Sequence, residues 1–120
     1  MHRWLCQLLY LLVGAVITAD VSAHAMLESA EPGAGARLEK PPTSVVLHFD
    51  SMLEAVFCGI TVKSITDDRT ITGPVQSADR ERASLRLALP TLPSGEYRVT
   101  WQAVARDGHR TSGDYTFTIK

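Results

Sequence analysis

Apolar and polar side chains alternate in five separate segments between Ser44 and the C-terminal lysine. Successive side chains of a β-strand point to opposite faces of its sheet, so each segment predicts a strand with one face turned towards a core. The core-facing positions are Val45, Leu47 and Phe49, then Ile60, Val62 and Ser64, then Leu85, Leu87 and Leu89, then Tyr97, Val99 and Trp101, and finally Tyr115, Phe117 and Ile119. No long window has the 3.6-residue apolar period of a helix, and only "DSMLEAVF" favours a helical turn. The chain is therefore predicted to be all-β.

Turn-forming residues separate the predicted strands. They are concentrated in "EPGAGARLEKPP", "TDDRTITGP" and "LPSGE", which are rich in the residues that set turn dihedral angles. Short strands divided in this way predict an immunoglobulin-like β-sandwich of about seven strands. In "LPSGEY", Gly95 precedes Tyr97 by two residues, which is typical of a tyrosine corner, where the phenol hydroxyl bonds to nearby backbone.

The first 23 residues form a different kind of segment. Arg3 is followed by an uncharged apolar run, residues 8–17, and then by the small residues of "VSA", which end at Ala23. The run is shorter than the roughly 20 apolar residues of a membrane span, and small residues at these positions are what a signal peptidase reads. We therefore expect a signal peptide over 1–23 and one exported domain over 24–120. An uncleaved membrane anchor is the alternative, which the length of the run disfavours.

Charge and cysteine content narrow the function classes. The chain carries 12 Lys and Arg against 13 Asp and Glu, so it lacks the positive charge that attracts nucleic acid or anionic lipid, and neither is expected as a partner. Cys58 is the only cysteine beyond the signal peptide, which excludes an internal disulfide in the exported domain. Its apolar neighbours favour a small buried hydrophobe, with a soft copper ligand or an intermolecular disulfide as alternatives.

Two histidines and an aspartate are the candidate metal ligands. Cleavage after Ala23 makes His24 the first residue, so that its α-amine and imidazole become two nitrogen donors on one residue. In "ARDGHRTSG", Asp107 stands two residues before His109, and such side chains point the same way if the segment is extended. Taken alone, an aspartate and a histidine beside a glycine are typical of a turn or of a surface hydrogen bond. With His24 it supplies three nitrogens and one oxygen, a tetragonal set that Cu(II) prefers, with Zn(II) as second choice.

Four stretches carry a family resemblance. They are "HAMLESAEPGAGARLEKPP", "VVLHFDSMLEAVFCGITV", "LPSGEYRVTWQAVARDGHRTSG" and "YTFTIK". Together they cover the exported domain, which resembles the CopC family of periplasmic copper-binding proteins. The most specific feature is "DGH" followed by "SG" after a tryptophan-containing strand, combined with an N-terminal histidine. The resemblance implies a small Greek-key β-sandwich.

The same resemblance implies a function and a ligand set. The Cu(II) ligands of the family carry over to His24 with its α-amine, to Asp107 and to His109. The implied protein is soluble, periplasmic, monomeric and not an enzyme. It holds one Cu(II) ion for storage, buffering or transfer in copper homeostasis and resistance. An inner-membrane copper-transport protein of the CopD type is the implied recipient.

Two departures from the family pattern bear on the metal. Many relatives have a second, methionine-rich Cu(I) site, whereas the exported domain here has only Met26 and Met52, with no Met-x-x-Met run. We therefore expect no Cu(I) site. Some relatives also place a glutamate shortly after "LHF", where this chain has Asp50 and Ser51. Asp50 is displaced by one position, so it is not counted among the ligands.

Three further residues have an ordinary structural interpretation. His48 falls on the polar face of a predicted strand, where an exposed sheet histidine is favoured over a ligand. Met26 is interpreted as a core methionine, with packing over the metal site as the alternative. Trp101 is interpreted as part of the sandwich core.

Two other function classes compete with copper storage or transfer. One is an oxidative enzyme with copper on an N-terminal histidine, similar to the lytic polysaccharide monooxygenases. Those enzymes are usually longer and present a flat aromatic substrate face. The other is a metal-free immunoglobulin-like interaction module, which predicts no loss of function when His24 is changed.

Overall fold

The computed structural model describes residues 25–120. Within that range the chain forms nine strands, of which β2 and β5 have only two residues each. In chain order they are β1 Leu27–Glu31, β2 Arg37–Leu38, β3 Ser44–Phe49, β4 Gly59–Ser64, β5 Thr70–Ile71, β6 Val75–Ser77, β7 Ser84–Ala88, β8 Gly95–Val104 and β9 Arg110–Ile119. The helical turn expected in "DSMLEAVF" is a 3-10 helix over Ala55–Phe57. No described residue lies in a helix with the length and hydropathy of a membrane span.

The strands form two sheets that pack face to face. One sheet has the order β1-β3-β7-β6 and the other the order β2-β9-β8-β4-β5. Neighbouring strands are antiparallel, except that β2 pairs with β9 in parallel. The chain passes between the sheets after β1, β2, β3, β5 and β7. The predicted immunoglobulin-like sandwich is therefore confirmed, and it includes four strands, β1, β2, β5 and β6, that the alternating segments did not indicate.

The core lies between the sheets and consists mostly of the alternating side chains. Trp101 is 7% exposed and packs edge-on against Phe49, with 5.2 Å between the ring centroids. Tyr97 and Phe117 stack with their centroids 5.4 Å apart. The interpretation of Trp101 as a core residue is thus confirmed. Leu89 is only half-buried because β7 ends at Ala88 and the chain leaves the sheet there.

The tyrosine corner is present as predicted. The Tyr97 hydroxyl donates to the Pro93 carbonyl at 2.6 Å. Gly95, between them, has φ of 149°, a conformation that residues with a Cβ rarely adopt. This bond fixes the chain where it enters β8, the strand that leads to the candidate metal ligands.

Gly113 allows the close approach of β9 to the Trp101 indole. A Cβ at this position would lie 2.7 Å from Cζ2 of Trp101. We expect Gly113→Ala to lower the free energy of unfolding by about 1–3 kcal/mol, because the ring is buried and the core has to shift to make room. Chemical denaturation measures this change. Gly73→Ala is the matched control, since its Cβ meets only Leu87 Cδ1 at 3.5 Å; an equal loss in both variants would contradict the steric explanation.

Candidate metal centre

Asp107 and His109 lie in the turn that joins β8 to β9. The Ala105 amide donates to the His109 carbonyl at 2.9 Å, and the Gly108 amide donates to the Ala105 carbonyl at 2.9 Å. Gly108 has φ of 91°, in the region that favours glycine. The two side chains converge because the chain turns here, whereas the sequence argument relied on an extended segment.

Asp107 holds His109 through both carboxylate oxygens. Its Oδ2 lies 2.7 Å from Nδ1 of the imidazole, and its Oδ1 accepts the His109 backbone N–H at 3.0 Å. At this separation the Asp107 oxygen and the His109 nitrogen are close enough to be neighbouring ligands of one metal ion. The Asp107 side chain is 37% exposed and the His109 side chain is 54% exposed. The pair is therefore oriented by the fold and open to an ion from solvent.

The start of the described chain is fastened next to this pair. Ala25 is fully buried, and its carbonyl accepts a hydrogen bond from Oγ1 of Thr111 at 2.8 Å. Thr111 is the second residue of β9 and follows His109 by two positions. His24, the predicted first ligand, lies outside the described residues. The residue that follows it, Ala25, is held at the end of the sandwich where Asp107 and His109 lie.

Asp50, which directly follows β3, anchors the same segment within the sheet that contains β1. Its Oδ1 accepts the Met26 backbone N–H at 2.8 Å, and the Asp50 amide donates to the Met26 carbonyl at 3.0 Å. The bond from Met26 and a second from the Ser51 hydroxyl hold the pKa of the Asp50 carboxyl below its ordinary value. This carboxylate is thus engaged with the backbone at the start of the described chain.

Comparison with known proteins then decides the family. The family model described as the CopC domain matches residues 27–120. The chain belongs to the CopC family. Protein YobA of Escherichia coli (strain K12) is 32% identical over 119 residues, covering 98% of this chain and 96% of that protein. Copper transport protein CutJ of Bacillus subtilis (strain 168) is also 32% identical over 119 residues, covering 98% of this chain but only 22% of CutJ.

Solved structures of CopC proteins have the same fold. CopC from Methylosinus trichosporium OB3b superposes with a TM-score of 0.76 at 27% sequence identity, covering 81% of this chain and 94% of that one. PcoC, described as a methionine-rich copper resistance protein from Escherichia coli, superposes with a TM-score of 0.67 at 29% identity, covering 82% of this chain and all of its own. In both superpositions the matched residues make up about four fifths of this CopC chain.

The two methionines among residues 25–120 of this CopC chain lie on its surface. Met26 is 59% exposed and Met52 is 42% exposed. The interpretation of Met26 as a core residue was wrong, because the neighbouring Ala25 occupies the buried position. Met52 Sδ lies 3.7 Å from Nη1 of Arg106. An open cavity of about 390 Å³ adjoins it, lined by Ser51, Met52, Ala105, Arg106 and Asp107.

The remaining candidate side chains of this CopC domain lie elsewhere. His48 is on the outer face of β3 and is 38% exposed, in agreement with an exposed sheet histidine. Cys58 is half-buried against the core, its Sγ accepts the Val104 N–H at 3.3 Å, and burial raises the pKa of its thiol. Among residues 25–120, no three His, Cys, Asp or Glu side chains are grouped to hold a metal ion.

Sequence reasoning missed the residues that fasten the chain start. Thr111 and Asp50 reach it across 86 and 24 positions of sequence. No local pattern marks such contacts, since a threonine early in a strand and an aspartate after one are common. Only the arrangement of the strands identifies them.

Proposed function

We propose that this protein binds one Cu(II) ion in the periplasm and stores, buffers or hands on copper in copper homeostasis and resistance. The observation that carries the proposal is the position of the Asp107–His109 pair beside the anchored start of the domain. Thr111 holds Ala25 only two positions after His109, so a terminal His24 reaches the pair without rearrangement of the sandwich. We assign the protein no catalytic activity.

The proposed centre requires cleavage after Ala23. Cleavage turns the His24 nitrogen from an amide into an amine, which joins the His24 ring in one chelate. The His109 imidazole would supply a third nitrogen, and the Asp107 carboxylate, whose Oδ2 lies 2.7 Å from that ring, would supply an oxygen. Nitrogen and oxygen donors of this kind suit tetragonal Cu(II), which also heads the order of affinities for divalent metals. The same cleavage releases the domain from the membrane.

Cu(I) is not the proposed cargo. Thioether and thiolate ligands are what select Cu(I). Met26 and Met52 are both exposed, and the Cys58 thiol is engaged with Val104 and Glu54. The relative PcoC is described as methionine-rich, whereas this chain has three methionines in all, including Met1.

The proposed recipient is a CopD-type copper-transport protein of the inner membrane. CutJ, named as a copper transport protein, contains a region similar to 98% of this chain, and that region makes up 22% of the length of CutJ. In that relative, a similar region is thus part of a larger copper transport protein. We propose that here a separate, monomeric domain meets its transporter in the periplasm. Nucleic acid is not a proposed partner, because the chain is nearly neutral.

Electron paramagnetic resonance of the copper-loaded, processed protein tests the metal and its stoichiometry. We expect one tetragonal Cu(II) signal with nitrogen couplings that saturates at one equivalent, because the donors are nitrogen and oxygen atoms grouped at one end of the sandwich. Cu(I) should be removed by a competing chelator, because no thioether cluster is formed. Two equivalent tight Cu(II) signals, or retention of Cu(I) against the chelator, would contradict the proposal.

A further inference from the structure

Thr111 begins the row of side chains on β9 that face the core. Every second position of a strand points to the same face of its sheet, and this row ends with the buried Phe117 and Ile119. Thr111 is half-buried, and its hydroxyl donates to the carbonyl of Ala25 at 2.8 Å. Ala25 lies ahead of β1, which belongs to the other sheet. The hydroxyl therefore joins β9 of one sheet to the segment that leads into the other.

Met26, the next residue of that segment, is attached to the β1-β3-β7-β6 sheet. Its backbone N–H donates to Oδ1 of Asp50 at 2.8 Å, and its carbonyl accepts the Asp50 N–H at 3.0 Å. Asp50 directly follows β3. We call Ala25, Met26, Asp50 and Thr111 the N-terminal clamp. Through it, the first two described residues are tied to both sheets of the sandwich.

The bond from Thr111 is the link between the clamp and β9. Ala25 is fully buried, and leaving a buried carbonyl without a partner costs more than an ordinary hydrogen bond contributes. Valine has the branched shape of threonine without its hydroxyl. In Thr111→Val the Ala25 carbonyl loses this donor, and detachment of the segment is favoured because the carbonyl then bonds to water.

The clamp bears on copper because the residue ahead of Ala25 is the proposed terminal ligand. Fixing the backbone of one residue costs about fivefold to thirtyfold in an equilibrium constant. The apparent affinity of a site also falls with the fraction of molecules in which it is ready to bind. If Ala25 and Met26 are attached beforehand, copper has to order only the terminal residue. Attachment before binding therefore raises copper affinity.

We propose that Thr111 is a positioning residue of the copper centre, which orders the start of the domain before the metal arrives. The inference rests on the proposed function, because it takes His24 as the terminal ligand. Thr111 follows His109 by two positions, so the strand that presents one ligand also holds the segment that carries the others. Its hydroxyl is engaged with the Ala25 carbonyl, and Thr111 acts through that bond.

Hydrogen exchange of the Met26 amide in the metal-free, processed protein tests the clamp without copper. We expect this N–H to exchange at least about tenfold more slowly than in an unstructured peptide, because Asp50 accepts it in an attached segment. Thr111→Val should remove most of this protection, and Thr111→Ser, which keeps the hydroxyl, should retain it. A Met26 amide of the parent protein that is unprotected until copper is added would overturn the proposal.

Competition titration with Cu(II) measures the effect of the clamp on the metal. Thr111→Val should weaken binding by about fivefold to thirtyfold, the cost of ordering one more residue, and Thr111→Ser should bind as the parent does. Thr116→Val is the matched control, because it makes the same change on the opposite face of the same strand. Parent-like copper affinity of Thr111→Val, with an unprotected Met26 amide in that variant, would overturn the proposal.

Combining Thr111→Val with a methionine placed ahead of His24 shows how Thr111 acts. The added residue turns the His24 amine into an amide, so the valine change should cost less than about twofold in this extended protein. An equal loss with and without the extension would show that Thr111 acts on His109 instead, which contradicts the proposal. Equal copper affinities of the processed and extended proteins would contradict the proposed function itself, so the two failures are distinguishable.

Discussion

Extending the processed protein by one methionine ahead of His24 is expected to lower its Cu(II) affinity by orders of magnitude. The extension converts the α-amine of His24 into an amide nitrogen, which is too weakly basic to coordinate at neutral pH, and the chelate with the imidazole is lost. Ala25 stays buried and hydrogen-bonded to Thr111, so the sandwich should remain folded. Competition titration against a chelator of known affinity measures the difference between the two proteins.

A methionine added after Lys120 is the matched control for this extension. This variant has the same amino-acid composition as the N-terminally extended protein, but its extra residue lies at the other end of the chain. Its copper affinity should equal that of the unextended protein. Because copper displaces protons from its nitrogen ligands, affinity of the processed protein should also fall as pH is lowered. Equal affinities of the two extended proteins would mean that the His24 amine is not a ligand.

Asp107→Ala and His109→Ala are each expected to weaken Cu(II) binding by at least about tenfold while leaving the domain folded. The first removes the proposed oxygen ligand, which lies 2.7 Å from the His109 ring, and the second removes the ring itself. Both side chains are exposed in a turn, so the free energy of unfolding should change by about 1 kcal/mol or less. Copper competition and thermal unfolding, measured on the same samples, separate the two effects.

His48→Ala is the matched histidine control for that pair. His48 lies on the outer face of β3, away from the β8–β9 turn, and should affect neither copper affinity nor folding. If His109→Ala instead unfolded the domain while copper binding survived, Asp107 and His109 would be structural residues of the turn.

The long strands could be predicted because each contains its own pattern. In β3 and β8, buried and exposed residues alternate as the sequence indicates, and the Tyr97 corner is marked by a local motif. β2, β5 and β6 could not be found in this way, because a strand of two or three residues has no period, and β1, with the sequence LESAE, does not alternate. Such strands form where a neighbouring edge supplies hydrogen bonds, and that depends on the finished sheet.

The candidate site could likewise be predicted only where its contacts are local in sequence. Asp107 and His109 are two positions apart, so their proximity follows from local sequence, even though a turn rather than an extended strand brings them together. The contact of Thr111 with Ala25 and that of Asp50 with Met26 both join residues far apart in sequence. Met26 was misplaced for the same reason, because its exposure depends on which neighbour fills the space between the sheets.

A crystal structure of the processed protein with one equivalent of Cu(II) tests the proposed centre most directly. One copper ion is expected, bonded to the α-nitrogen and imidazole of His24 and to the imidazole of His109, with Asp107 completing the set. Copper bound at another place, or bound at His109 while the His24 amine is directed away from it, would contradict the proposed centre.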